Sequence, residues 1–122
     1  MQASFLISLR RAGRGIVQAF RSEANFRRQS VVALALIALM LVLPLALWQA
    51  IVLEIVMSLV FVVELINTSI ERLLNLMKPQ FHETVREAKD VSAGAVLVMS
   101  IAAALVGVLI LGPYVIFLIR HV

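Results

Sequence analysis

With 122 residues the chain has room for one small domain, and a hydrophobic content of 62% excludes an ordinary soluble globular protein. The absence of cysteine excludes disulfides and thiolate metal sites. The formal charge of +4 is lopsided: six arginines against one glutamate precede Ser30, which suits anionic headgroups or a phosphate ligand, and no soluble basic module for nucleic acid is present.

The first 29 residues lack the apolar core of a signal peptide and read as an amphipathic helix. At 100° per residue, Phe5, Leu9, Ile16 and Phe20 share one face with Ala12 and Ala19. Arg10, Arg14 and Arg21 share the other with Arg11 and Gln18. Basic residues opposite aromatics describe a helix lying in the headgroup plane. Glu23 stands alone among Arg21, Arg27 and Arg28, either as their ion-pair partner or as a metal or nucleotide contact.

Residues 30–122 read as three transmembrane helices at about 30–48, 50–77 and 91–119. Pro44 and Trp48 mark the far end of the first, and a short turn makes it an antiparallel hairpin with the second. Glu54 falls near the start of the second helix at the outer interface, where a carboxylate is structural. Lys78 to Asp90 reads as one polar loop broken by Pro79, and small residues (Ser92, Ala93, Gly94, Ala95) open the third helix. Gly112-Pro113 is expected to loosen its last turns. Basic residues in the N-terminal segment and the polar loop place both in the cytoplasm and the C-terminus outside.

The chemistry concentrates in Glu64-Leu-Ile-Asn-Thr-Ser-Ile-Glu71. Glu64, Asn67, Thr68, Glu71 and Asn75 fall on one narrow stripe of the second helix. A carboxylate in hydrocarbon costs roughly 2.5–3.5 kcal/mol even on the lenient insertion scale. A stripe of amides and hydroxyls alone is helix glue, but two carboxylates on it mark a site. Glu23 and Glu71 are hard oxygen ligands that Mg²⁺ takes one or two at a time, with phosphates completing the shell. Lys89 and Asp90 are expected just before the third helix, where free N–H groups favour phosphate. Glu64 lies about 10 Å deeper than Glu71 by the helical rise, placed to accept a proton from a hydroxyl arriving through lipid. No Walker-A or kinase glycine-rich loop is present. Three helices cannot cover such a stripe alone, so burial implies a homo-oligomer.

The Glu64–Glu71 octapeptide resembles the signature of the small bacterial integral-membrane lipid kinases, the diacylglycerol kinase and undecaprenol kinase family. Two further blocks resemble it in order. One is Ser8-x-x-x-Ala12-x-x-Gly15-x-x-x-Ala19-Phe20-x-x-Glu23-x-x-Phe26-Arg27; the other is Ala88-Lys89-Asp90 followed by Ala93-Gly94-Ala95. The resemblance implies an all-α membrane protein of the bacterial inner membrane, a homotrimer with sites shared between neighbours. It also implies ATP with Mg²⁺ as phosphoryl donor and a lipid hydroxyl as acceptor. Carried over, Glu64 matches the general base, and Glu23 and Glu71 match the residues holding metal with ATP. Arg11, His82, Lys89 and Asp90 match nucleotide contacts, and Asn67 and Ala93 match the lipid side. Asn75 departs from the family, which usually has aspartate there. It keeps hydrogen-bonding capacity and loses a charge. Diacylglycerol is the expected acceptor, although Ala93-Gly94-Ala95 leans toward the undecaprenol branch.

Two other classes compete. A small oligomeric transporter would use the same glutamate to couple protons or substrate, but its site belongs near the bilayer midplane. A membrane scaffold leaves Glu23, Glu71 and Asp90 without a purpose.

Overall fold

The computed structural model describes residues 2–77 and 82–122, and these form four helices. They are α1 (Gln2–Ser22), α2 (Ala24–Val42), α3 (Leu47–Asn75) and α4 (Glu83–Arg120). The protein is all-helical over that range, and α2, α3 and α4 are each long and apolar enough to cross a membrane. Lys78 and Pro79, the start of the expected polar loop, lie outside the described residues.

The break between α1 and α2 comes earlier than the expected boundary at residue 29. Glu23 alone leaves the helical region, with φ −109° and ψ 109°. Hydrogen bonding runs on around it: Glu23 N donates to Ala19 O at 2.8 Å, and Glu23 O accepts from Arg27 N at 3.2 Å. The last carbonyls of a helix have no partner within it. Here Arg27 Nη1 supplies one, donating to both Phe20 O and Arg21 O at 2.9 Å.

α2 ends at Val42, short of the expected 48, because Pro44 disfavours helical geometry at Leu43, which is extended (φ −81°, ψ 143°). Trp48 therefore belongs to the first turn of α3. That helix opens with Gln49 Oε1 accepting from Ala46 N at 2.9 Å, one half of a capping box. Glu54 is exposed two turns into α3, beyond the reach of its N-terminal dipole, and accepts from Ser58 Oγ at 2.7 Å. α3 has 29 residues and α4 has 38. At 1.5 Å per residue these are about 43 Å and about 57 Å, both longer than a bilayer core.

α4 starts at Glu83 rather than 91, absorbing most of the expected loop. Its first two turns are polar but made of good helix formers, and Glu83 pairs with Arg86. At the other end α4 continues through Pro113 to Arg120. The expected loosening after Gly112-Pro113 does not occur, and Tyr114 Oη donates to Gln49 Oε1 at 2.7 Å, tying α4 to the start of α3.

α3 and α4 form the closest pair, while α2 touches α3 lightly and α1 rests on the adjoining ends of α2 and α3. Phe26 at the start of α2 meets Phe61 edge-on, with centroids 5.2 Å apart. α2 stands away from α4, leaving a cavity of about 730 Å³ walled by all three long helices. Little else is buried. No more than 11% of any candidate span is covered within the chain.

Candidate functional site

Glu64 and Thr68 are the buried polar residues among those described, with relative exposures of 3% and 5%. They share the face of α3 that turns toward the neighbouring helices, one turn apart. Gln29, near the start of α2, donates from Nε2 to Glu64 Oε2 over a long 3.5 Å. Thr68 Oγ1 and Gln29 Oε1 are buried without a hydrogen-bond partner. The carboxyl, amide and hydroxyl groups of Glu64, Gln29 and Thr68 thus have their bonding capacity only partly used.

Farther along the stripe the partners come from α4. Ser92 Oγ donates to Asn67 Oδ1 at 2.7 Å, and Lys89 Nζ donates to Asn75 Oδ1 at 2.9 Å. The same ammonium is 4.0 Å from Glu71 Oε1, a loose ion pair on a half-exposed face. α1 closes the third side. Arg72 Nη2, next in sequence to Glu71, donates to Ser22 Oγ at 2.5 Å, and that hydroxyl lies 3.4 Å from Glu23 Oε1. Glu23 is linked to this end of α3 through the Ser22 hydroxyl.

Glu23, Glu64, Asn67, Glu71 and Lys89 are therefore gathered at one end of the helical bundle. Others are placed differently. Lys89 and Asp90 do not precede a helix N-terminus. They lie within α4, where the ladder occupies their N–H groups, because the polar segment is helical from Glu83. The free N–H groups belong to Glu83 and its followers; His82, at the N-cap position, is exposed and makes no side-chain bond to them. Asp90 and Arg11 are exposed. Ala93 is also exposed, and its neighbour Ser92 is the residue that meets Asn67. Gln29 escaped the sequence reading because one amide at the edge of a charge-free run carries no periodic signal, and Ser92 was hidden in a run of small residues.

Among the described residues no three metal-ligating side chains cluster. Two carboxylates from separate elements, Glu23 and Glu71, are nonetheless the donor set that Mg²⁺ accepts when phosphate oxygens and water complete the shell. One end of the arrangement is partly exposed and carries acidic and basic side chains together. The other is a buried carboxylate met by Gln29, which lines the largely apolar cavity between α2, α3 and α4.

The model of the family described as prokaryotic diacylglycerol kinase matches residues 10–111. A Synechocystis protein named diacylglycerol kinase is 38% identical over 111 residues, covering 90% of this chain, which spans only 63% of that relative. A Bacillus subtilis protein named undecaprenol kinase is 32% identical over 109 residues, 89% of each chain. An Escherichia coli protein named diacylglycerol kinase is 30% identical over 92 residues, 75% of each.

Proposed function

The chain belongs to the prokaryotic diacylglycerol kinase family, and on that premise we propose that it transfers the γ-phosphate of ATP to the hydroxyl of a membrane lipid, diacylglycerol in the first place. The burial of Glu64, at 3% exposure in the middle of an apolar helix, carries this reading. A carboxylate is tolerated there when it meets a polar group that comes through lipid. Glu23, Glu71 and Lys89, toward the wet end of the same stripe, suit the phosphates of a soluble donor.

In the proposed step the lipid oxygen attacks the γ-phosphorus and its proton passes to Glu64. The bond between γ-phosphorus and bridging oxygen breaks, and ADP departs with that oxygen. Lys89 offsets negative charge on the phosphates, and Asn67, held by Ser92, keeps the neighbouring turn of α3 in register. Mg²⁺, when bound by Glu23 and Glu71, would neutralise phosphate charge. Arg11, His82 and Asp90 complete the nucleotide contacts in this reading, and Ala93 borders the lipid.

α2, α3 and α4 cross the bacterial inner membrane, with the α1–α2 break on the cytoplasmic side and the C-terminus outside. α1 lies on the cytoplasmic face. The exposure of Phe5, Leu9, Ile16 and Phe20 at 45–68% supports that position, since a surface helix needs something to cover them. Three copies assemble, each covering apolar surface that a single chain leaves open.

Glu64→Gln keeps shape and hydrogen bonding but removes the base. It is expected to abolish phosphate transfer from labelled ATP to extracted lipid while assembly persists; full activity would remove Glu64 from the chemistry. Glu71→Gln is expected to raise the Mg²⁺ concentration for half-maximal rate at least tenfold, and an unchanged Mg²⁺ titration would free Glu71 of that role. A second acceptor has one specific observation behind it. The B. subtilis relative named for undecaprenol aligns over 89% of both chains. Presenting both lipids to one preparation decides between them.

A further inference from the structure

Glu54 is the carboxyl group that the kinase reading leaves without a task. It lies off the stripe of Glu64 and Glu71 and is exposed, with Ser58 Oγ donating to its Oε1 at 2.7 Å. Two contacts between α3 and α4 fix its depth. Tyr114 Oη donates to Gln49 Oε1 at 2.7 Å toward one end, and Ser92 Oγ donates to Asn67 Oδ1 at 2.7 Å toward the other. Between antiparallel helices so registered, Glu54 falls level with Val108, well inside the charge-free run from Val91 to Ile119. Ile119 is then about 16 Å farther out along α4. Phe117, Leu118 and Ile119 are 49–73% exposed and need hydrocarbon around them, so the bilayer edge stands beyond the start of α3. Glu54 is thus sunk in the apolar layer rather than set at its outer interface, and no basic residue of this chain shares its depth.

The face around Glu54 is open. Ile51, Ile55, Ser58 and Val62 follow one another at steps of four, three and four residues, the 3.5-residue repeat of helices that pair along a seam. Ile51, Ile55 and Val62 are 47–49% exposed, and none of the four lines the cavity between α2, α3 and α4. Glu54 flanks this seam. We propose that the outer half of α3 docks on the same face of a second copy of the chain, with Glu54 and Ser58 forming a polar layer across the contact inside the membrane. This deepens the proposed assembly of copies and rests on it, while owing nothing to the phosphate chemistry. Copies related by rotation about the membrane normal bring equal depths together, so the Glu54–Ser58 pair of one meets that of the next. With no basic residue at that level an ion pair is excluded, and hydrogen bonds between carboxyl and hydroxyl groups remain. The Ser58 hydroxyl and the second carboxyl oxygen of Glu54 offer lone pairs for them. Such bonds hold helices together in lipid because the alternative is a polar group facing hydrocarbon.

The chain has no cysteine, so any disulfide in a single-cysteine variant joins two copies. Full-length Ser58→Cys in membranes, oxidised with copper phenanthroline, is expected to run as a covalent dimer. Val108→Cys, at the same depth on α4 and 69% exposed, is expected to stay a single chain. A Val108→Cys dimer beside a monomeric Ser58→Cys overturns the assignment. Glu54→Leu removes the polar layer and suits lipid as well as the seam. It is expected to raise about fivefold the protein-to-detergent ratio at which half the copies separate. Glu54→Gln keeps a donor and an acceptor and is expected to separate at the wild-type ratio. A Glu54→Leu protein that holds together as firmly as the wild type shows that the carboxyl group lies outside the contact. If the wild-type protein scatters light as single chains, the assembly itself fails and this inference goes with it. An assembled wild type whose Ser58→Cys variant gives no dimer sinks this face of α3 alone.

Discussion

Asn75 is where the chain departs from the pattern it resembles, and its contact with Lys89 shows what the departure leaves intact. Its amide oxygen accepts from Lys89 Nζ at 2.9 Å, which an aspartate oxygen would also do. An amide steers the ammonium without neutralising it. The nearest carboxylate is then that of Glu71, at a loose 4.0 Å, so the positive charge stays available to phosphate. Asn75→Leu removes the steering oxygen and is expected to raise KM for ATP by about fivefold, roughly 1 kcal/mol, with lipid KM unchanged. Asn75→Asp keeps the oxygen but adds a like charge four residues from Glu71. Equal ATP affinity in the wild type and Asn75→Leu would show that Lys89 needs no guide. Much of this was legible beforehand, because helical spacing alone puts Glu64, Asn67, Thr68, Glu71 and Asn75 on one stripe. The partners were not. Gln29, Ser92 and Ser22 come from other helices, and which of them face the stripe depends on packing that no single helix encodes.

Between elements, the telling joint is Glu23. No proline or glycine marks it, and Ala24 and Asn25 tolerate helix, so a break there is invisible to propensity. It holds because Arg27 reaches back to the carbonyls that α1 would otherwise leave bare. Arg27→Met is expected to speed amide exchange in the last turn of α1 by about tenfold while α3 and α4 keep their protection. Uniform loss across the chain would mean that Arg27 stabilises the whole fold instead. The start of α4 is obscured for the opposite reason. A run of charged residues suggests a loop, yet Glu83, Arg86, Glu87 and Lys89 are sound helix formers, and a helix leaving the membrane has no need of an apolar face. The three spans themselves were plain from length and hydropathy, which depend on solvent and not on neighbours.

For the whole molecule, uncovered apolar surface dominates. With at most 11% of any span buried within the chain, most of the surface that a soluble protein would hide must meet lipid or another copy. Light scattering of the protein in detergent is expected to give three chains per particle, and activity is expected to fall together with that mass as detergent dilutes the chains apart. Activity retained by a single chain would place the complete site within one bundle.

The depth difference along α3 has a kinetic corollary. Glu64 is sealed at 3% exposure, whereas the Glu71 side chain two turns away is 47% exposed. On the proposed chemistry a neutral alcohol approaches the sealed position and leaves as a phosphate ester, a dianion that an oily crevice cannot retain. Its own hydration drives it toward the rim, so discharge is downhill and no moving gate has to push the product out.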